Sequence, residues 1–185
     1  MYVTPAIIAA AEVRYGEPRE LHVAYEIRQD ELAMIRASQG DGRAHDVTLF
    51  VFNAERLALI RKPHFAPGLW RTPGGGIRPG EDFLAGVARE GLEELGVDIE
   101  LERYVVRAEA MFRHRQLAVP WQTHVFSATT AEEELEPVDV HEIEAARWGT
   151  AAELAGPIRA RLLETGRALW RYRVALHDAA LAQLG

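Results

Sequence analysis

Three glutamates stand close together near the middle of the chain, at positions 90, 93 and 94. On a helix these spacings place Glu90, Glu93 and Glu94 on one face, with Cβ atoms about 5–6 Å apart. Like charges at this spacing destabilise a helix, and Arg89, four residues before Glu93, compensates only part of them. Clustered carboxylate oxygens are ligands that Mg²⁺ and Mn²⁺ prefer. A solvated charged face is the alternative, and for an acidic run taken alone it is the more common one.

The residues around these glutamates favour the metal site. From Gly75 to Val97 the chain reads GGIRPGEDFLAGVAREGLEELGV. This segment resembles the Nudix box, G-x5-E-x7-R-E-U-x-E-E-x-G-U, in which U is a bulky aliphatic residue. Seven fixed residues match at the required spacing: Gly75, Glu81, Arg89, Glu90, Glu93, Glu94 and Gly96. A chance match of this kind has a probability on the order of 10⁻⁸ per starting position. Gly91 departs from the pattern, because the family usually has an aliphatic residue there.

The resemblance extends beyond the box. Residues 70–75 resemble the family's lead-in to the box, and residues 142–154 resemble its last strand and helix. The resemblance implies an α/β protein with the Nudix fold, an α/β/α sandwich around a central mixed β-sheet. We therefore expect a Nudix hydrolase domain over residues 46–185, ending in a long C-terminal helix. Residues 1–45 would be an N-terminal extension, either part of the same domain or a dimerisation element.

The resemblance also implies an enzyme. Its activity would be metal-dependent hydrolysis of the pyrophosphate bond in a nucleoside diphosphate linked to another group, such as ADP-ribose or a sugar nucleotide. Glu90, Glu93 and Glu94 would be the ligands of Mg²⁺ or Mn²⁺, and Glu93 is also a candidate to orient the attacking water. Elementary electrostatics agrees, because a divalent metal is needed to bring a pyrophosphate to an acidic face.

Other residues would complete the site. By resemblance, Arg89 would orient a box glutamate, and Glu81 would brace the loop and helix together with the box glycines Gly75 and Gly96. Glu142 and Glu144 are candidates for a general base outside the box, although a role as surface acids explains them equally well.

Basic residues before the box and inside it are candidates to hold the phosphates: Arg61, Lys62, Arg71 and Arg78. Each is also explained as a surface charge, and Arg71, beside the Pro-Gly-Gly turn, is the strongest of them. Trp70 lies in the loop before the box and is a further candidate for ligand contact. The marks of the ADP-ribose, dinucleoside polyphosphate, NADH and coenzyme A hydrolases of the family are absent, so no single substrate is selected.

Composition narrows the function classes. The 185 residues include 48% hydrophobic and 26% charged residues, which is typical of a globular domain. The absence of cysteine excludes disulfides and thiolate zinc sites. The net charge of -7 argues against a nucleic-acid scaffold. No apolar run approaches the ~20 residues of a membrane helix, and no secretory signal begins the sequence. We expect a cytoplasmic protein whose partner is a small nucleotide, without a membrane role.

Hydrophobic periodicity predicts the elements that position the box. Strands are expected over residues 21–27, 104–112 and 121–128, a hairpin over 47–60, and helices over 81–95 and from about 158 to 184. The first strand could also build a sheet that is exchanged across a homodimer. Two other functions stay open at this point: a nucleotide-binding sensor or regulator without turnover, and a prenyl diphosphate isomerase.

Overall fold

The protein is described by a computed structural model that covers residues 3–185, apart from the side chain of Asp41. Met1 and Tyr2, which begin the expected N-terminal extension, lie outside the described residues. The strands are β1 (Arg19–Glu26), β2 (His45–Asn53), β3 (Arg56–Arg61), β4 (Glu100–His114), β5 (Leu117–Thr129) and β6 (Ala145–Gly149). The α-helices are α1 (Pro5–Tyr15), α2 (Gln29–Ser38), α3 (Phe83–Leu95), α4 (Ala151–Glu153), α5 (Arg159–Glu164) and α6 (Ala168–Leu184). Gly40–Gly42 forms a turn of 3₁₀-helix, and Leu154–Ile158 forms a turn of π-helix.

The six strands form one mixed sheet in the order β1-β4-β5-β2-β3-β6. β4 and β5 are antiparallel, whereas β1 runs parallel to β4 and β2 runs parallel to β5. Apolar side chains cover both faces of the sheet. Phe50, Phe112 and Leu176 are buried on the face with α2 and α6, and Phe83 and Phe126 are buried on the face with α1 and α3. The expected α/β/α sandwich around a mixed sheet is therefore confirmed.

The glycine-rich segment before α3 belongs to the sheet. β2 and β3 pair only at their turn, and residues 71–77, here called the wedge segment, lie between the two strands beyond it. The amides of Val47 and Leu49 donate to the carbonyls of Gly75 and Pro73, at 2.8 and 2.9 Å. On the other side, Ile60 and residue 71 exchange two backbone hydrogen bonds of 2.8 and 3.1 Å. The wedge segment is thus held from both sides before the acidic helix begins.

Helix α3 begins at Phe83, two residues later than expected, because Asp82 caps it by accepting from the Ala85 amide at 2.9 Å. It ends where expected, at a left-handed Gly96 with φ of 72°. The departure from the box at Gly91 also has a cause in the structure. A Cβ at position 91 would lie 2.8 Å from Cδ1 of Ile99, so the Ile99 side chain fills the space of the aliphatic residue usual in the family.

The ends of the chain differ from the sequence-based expectation. Helices α1 and α2 were not expected in the N-terminal extension, while the strand at 21–27 is present as β1. β1 is an edge strand of the main sheet, where it pairs with β4 of its own chain. The expected long C-terminal helix is present as α6. The helical pattern from about residue 158 also includes the shorter α5, which is separated from α6 at Gly166, with a φ of 62°. Among residues 3–185, no helix is long and apolar enough to cross a membrane.

Candidate active site

Glu94 is the deepest of the three clustered acids, with 2% of the residue exposed. One carboxylate oxygen accepts from the Gly74 amide at 2.6 Å, and the other accepts from Arg71 at 3.2 Å. The Lys62 ammonium lies 3.4 Å from the same oxygen as Arg71. Two cations and one backbone amide therefore compensate this buried charge, which would otherwise be costly.

Glu90 lies one turn earlier and is also buried, with 7% of the residue exposed. Burial, followed by the charge of Glu94, raises the pKa of Glu90 to about 7, and the guanidinium of Arg89 at 2.8 Å opposes this shift. Its carboxylate rests against the wedge segment, because a Cβ at Gly75 would lie 2.2 Å from one Glu90 oxygen. A side chain at position 75 would therefore displace this carboxylate, whereas glycine lets the backbone approach it.

Arg89 connects the helix to the wedge segment. Its guanidinium donates to both oxygens of Glu81 at 2.6 and 3.1 Å, to the Gly76 carbonyl at 3.0 Å and to Glu93 at 2.7 Å. The hydrogen bond from Arg89 lowers the pKa of Glu81, although burial of the carboxyl opposes it. Glu81 in turn accepts from the Arg78 amide at 2.9 Å, so one arginine and one glutamate fix the turn between Gly76 and α3.

Glu93 is the most accessible of the three acids, with 32% of its side chain exposed. Besides Arg89, it accepts from the guanidinium of Arg78 at 3.1 Å, and 59% of the Arg78 side chain is exposed. The Glu93 carbonyl accepts from the amides of Val138 and Asp139, at 3.1 and 3.0 Å. The loop before β6 is thereby attached to the helix that carries the acids.

The donor set suits a hard divalent cation, because it consists of carboxylate oxygens from successive turns of one helix. Mutual repulsion and burial disfavour the ionised form of Glu90, and a cation would reverse both effects. Within residues 3–185, no three His, Asp or Glu side chains are arranged to hold a metal ion as they stand. The carboxylates are held by arginine, lysine and backbone amides, so metal binding requires these contacts to be exchanged.

The two candidate bases lie beside the box. Glu142 pairs with Lys62, the same lysine that approaches Glu94. Glu144 pairs with Arg61 at 3.0 Å and is farther from the box contacts. Both glutamates are exposed and follow the loop that α3 holds. Lys62 thus links one candidate base directly to a box carboxylate.

Two predicted substrate contacts lie elsewhere than expected. Arg71 is buried, with 5% of the residue exposed, and it donates to the carbonyls of Thr72 and Gly74 as well as to Glu94. Its position in the structure is that of a brace for Glu94, away from solvent. The indole of Trp70 packs under the guanidinium of Arg147, whose carbon lies 4.5 Å from the ring centroid.

One basic residue at the site was missed by the sequence analysis. Arg43 follows the 3₁₀ turn, and its Nε donates to the Ser38 carbonyl at 3.2 Å. A Cβ at Gly76 would lie 2.3 Å from one of its terminal nitrogens, so the guanidinium lies directly over that glycine. In the described part of the chain, Arg43 forms no ion pair. No local pattern marks this arginine, because its position depends on the wedge segment pairing with β2.

This chain is similar to known proteins of one family. The NUDIX domain profile matches residues 42–169. The NAD-capped RNA hydrolase NudC of Stutzerimonas stutzeri is 38% identical over 100 residues, which cover 54% of this chain and 34% of that protein. Nudix hydrolase 8 of Arabidopsis thaliana is 29% identical over 160 residues, which cover 80% of this chain and 40% of that protein. The chain thus spans about a third to two fifths of the length of these curated relatives.

A solved structure shares the fold. The crystal structure of a MutT NUDIX hydrolase from Burkholderia pseudomallei superposes on 77% of this chain and 98% of that chain, with a TM-score of 0.51 and 24% sequence identity. At this identity the likeness concerns the fold alone.

Proposed function

Because this chain belongs to the NUDIX domain family, we propose that it is a pyrophosphohydrolase that uses a divalent metal, Mg²⁺ or Mn²⁺, to cleave a nucleoside diphosphate linked to another group. The observation that supports this most directly is the carboxylate face of α3, where Glu90 and Glu94 are buried and Glu94 accepts from the amide of Gly74. Only glycine fits position 74, because its φ is 137° and a Cβ there would lie 2.2 Å from the Val47 carbonyl oxygen. A merely solvated acidic face would leave these side chains in water.

In this proposal Glu90, Glu93 and Glu94 hold the metal. The chemistry that such a metal supplies is a lower pKa for a bound water and stabilisation of charge on the phosphoryl oxygens. Arg89 keeps Glu90 and Glu93 oriented, since it contacts both and is anchored on Glu81. Arg71 has the same role for Glu94, so we assign it to positioning and not to phosphate contact.

The phosphates would meet the accessible cations. The Arg78 side chain is largely exposed, and within residues 3–185 its only hydrogen bond is to Glu93. It can therefore move to a phosphoryl oxygen when the carboxylate turns to a metal. Lys62 lies between Glu94 and Glu142 and could follow the same exchange. Once released by Lys62, Glu142 would accept the proton of the attacking water. We favour it over Glu144 because the lysine places it beside the box.

The names of the relatives guide the choice of substrates to test. NudC of Stutzerimonas stutzeri is named for hydrolysis of NAD-capped RNA, in which a pyrophosphate joins two nucleosides. The substrate panel therefore contains NAD-capped RNA and NADH beside ADP-ribose, sugar nucleotides, diadenosine polyphosphates and oxidised dNTPs. Given the net charge of -7, we expect little contribution from the RNA body to affinity.

The decisive experiment measures nucleotide and phosphate release from this panel with Mg²⁺, with Mn²⁺ and with EDTA. We expect release that depends on metal and falls at least ~10²-fold in kcat for Glu93→Gln, because a group that binds metal and orients water is lost. Glu134→Gln, on the exposed loop before β6, is the matched control and should keep full activity.

Two outcomes would contradict the proposal. Equal activity of Glu93→Gln and wild type would remove Glu93 from the site. Saturable nucleotide binding without release from any substrate would favour the sensor interpretation over the enzyme.

A further inference from the structure

A cavity lies on the face of the sheet opposite α3. It occupies about 160 Å³ between α2, α6 and the sheet. The residues on which the argument depends are Ser38, Asp46, Phe112, Trp121, Tyr172 and Arg173. None of them belongs to the carboxylate face of α3. The cavity is therefore separate from the box, although one of its strands, β2, also contacts the wedge segment.

The cavity has a fixed hydrogen-bond acceptor. Asp46 receives the hydroxyl proton of Thr123, and Thr123 receives that of Tyr172 at 2.6 Å. Both hydroxyl protons therefore point along a row of hydrogen bonds toward Asp46. This row ends at the Asp46 carboxylate, which acts as an acceptor. A carboxylate has about four lone-pair sites, so it can accept further donors. Burial raises the pKa of Asp46, with Arg173 opposing the shift, so a ligand N–H would relieve an unfavourable charge.

The cavity also has a fixed donor. Arg173 donates from one nitrogen to the Thr48 hydroxyl at 2.6 Å, and within residues 3–185 its guanidinium makes no other hydrogen bond. Burial lowers the pKa of Arg173 to about 10, so it is still cationic at neutral pH. In the same described range, no ion pair within 4.0 Å joins Arg173 to Asp46, although both face one cavity. Two opposite charges thus stand on either side of a space with unused hydrogen-bonding capacity.

The size and lining of the cavity suit a flat ring. Phe112 is buried and Trp121 is half-buried, and both present aromatic surface to the space. Pockets that enclose a whole drug-sized ligand commonly measure about 300–1,000 Å³. A cavity of about 160 Å³ accordingly holds one small ring system, and the rest of any larger ligand must lie outside.

Arg43 lies beside both this cavity and the box. Its Nε donates to the carbonyl of Ser38 at the cavity rim, and its guanidinium lies over Gly76. Gly76 forms a bridge with Asp46, and a Cβ at its neighbour Gly75 would touch Glu90 on the other side of the wedge segment. Within residues 3–185 this cation has no ion pair, and it lies over the segment that contacts both Asp46 of the cavity and Glu90 of the box.

We propose that this cavity binds the base of the nucleotide substrate, a flat heterocycle with an N–H donor beside a carbonyl or ring-nitrogen acceptor, through Asp46 and Arg173. Arg43 then holds the phosphoryl group of the pyrophosphate that is esterified to this nucleoside, while the other phosphoryl group lies at the box. The assignment rests on the proposed function, since it names the second half of the same substrate site. It makes Asp46 and Arg173 the residues that determine base specificity.

The test measures binding of free nucleosides, which carry no phosphate, separately from hydrolysis. Adenosine, guanosine, cytidine and uridine are titrated calorimetrically without metal into wild type, Asp46→Asn and Ser38→Trp. Asp46→Asn keeps the shape but replaces an acceptor oxygen with an amide, whereas Ser38→Trp fills the rim without changing the polar network. Asp178→Asn is the matched control, because Asp178 lies elsewhere on α6 and pairs with Arg159 of α5.

We expect at least one nucleoside to bind wild type and Asp178→Asn equally, and to lose at least ~10-fold in affinity in both cavity variants, which corresponds to about 1.4 kcal/mol. Arg43→Gln should keep nucleoside affinity within about twofold and raise the KM for the hydrolysed nucleotide at least ~10-fold, since the phosphate contact is lost while Asp46 and Arg173 are unchanged. Arg36→Gln, an exposed arginine of α2, is its control.

The two proposals fail in different ways. If no nucleoside binds, or if the cavity variants bind nucleosides as wild type does, the base assignment is wrong. Metal-dependent hydrolysis with an unchanged KM in Ser38→Trp would then leave the proposed function intact. If nucleosides bind as expected but no pyrophosphate is hydrolysed, the proposed function is wrong and the cavity is a nucleoside site of another kind.

Discussion

Glu90 and Glu94 lie one turn apart on α3 and are both buried, yet they are compensated unequally. Glu94 has a lysine, an arginine and a backbone amide around it, whereas Glu90 has Arg89 alone. Burial and the neighbouring Glu94 therefore raise the pKa of Glu90 to about 7. Ionisation of Glu90 therefore costs the protein free energy until a cation arrives.

This difference predicts a pH dependence of stability. Between pH 4.5 and about 7 the folded protein keeps a proton on Glu90 that the unfolded chain releases, so the free energy of unfolding should decrease as pH rises and level off above pH 7. Measured by urea denaturation in EDTA, wild type should lose on the order of 1–3 kcal/mol relative to Glu90→Gln between pH 5 and pH 8. A difference that is flat with pH would show that Glu90 is ionised throughout, and saturating Mg²⁺ should reverse the trend.

At the scale of elements, the two glycines on either side of α3 differ in what a side chain there would cost. One position would have backbone strain alone, and the other would have backbone strain and a steric clash. Gly80 and Gly96 both have a positive φ, of 81° and 72°. A Cβ at Gly80 would meet nothing within 4 Å, whereas a Cβ at Gly96 would lie 1.8 Å from the Glu136 carbonyl oxygen. Gly96 thus lets the loop that carries Glu142 pack against the end of the helix.

We expect Gly80→Ala to cost about 1–2 kcal/mol of unfolding free energy, which is the penalty of a left-handed residue with a side chain. Gly96→Ala should cost roughly 2–4 kcal/mol more, because the loop at Glu136 must also move. Urea denaturation of both variants checks this. Equal losses would mean that the loop does not rest on Gly96.

The pair Gly91 and Ile99 gives a second prediction at this scale. Alanine favours a helix over glycine by roughly 1 kcal/mol, but in wild type a Cβ at Gly91 collides with Ile99. Gly91→Ala should therefore stabilise the wild-type protein less than it stabilises the Ile99→Ala variant, in which the gain is up to about 1 kcal/mol. The double-mutant cycle should give a coupling of about 0.5–3 kcal/mol, and additive effects would contradict the packing described here.

The sequence predicted the acidic helix and the sandwich because fixed residues at fixed spacing specify both. It did not predict α1, although Thr4 caps that helix and Pro5 begins it. The sequence also did not predict that Arg71 faces Glu94 instead of a substrate phosphate, for a different reason. Whether residue 71 faces solvent or Glu94 depends on its pairing with Ile60 across the sheet, and this long-range register leaves no trace in the local sequence.

At the scale of the whole molecule, a buried pair of histidines joins two neighbouring strands in the middle of the sheet. His45 of β2 and His124 of β5 are hydrogen-bonded at 3.0 Å, and the Tyr104 hydroxyl lies 2.5 Å from the other nitrogen of His124. If Tyr104 donates, neutral His124 carries its proton on Nε2 and donates it to His45. Burial lowers the pKa of His45 to about 4 and that of His124 to about 3.

Acid should therefore unfold the protein through these residues. Below pH 6.5 these histidines bind protons in the unfolded chain, whereas in the folded protein they stay neutral. Their contribution to stability is therefore complete above pH 6.5 and is lost as pH falls toward 4. Between pH 7 and pH 5 we expect a loss on the order of 1–2 kcal/mol for each histidine of this pair. His124→Gln should reduce this loss, and His22→Gln, an exposed histidine, should not. An equal acid sensitivity in both variants would exclude the pair as its cause.

The wedge segment gives this protein an internal reporter. Val47 and Leu49 of an interior strand donate their amide protons to residues 75 and 73 of the wedge segment, and not to a neighbouring strand. Their exchange with deuterated solvent therefore follows the opening of the segment that carries Gly75 and Gly76, whereas amides between β4 and β5 follow the opening of the sheet itself. Slower exchange at these two amides would record occupancy of the site for any ligand, before its identity is known and without turnover.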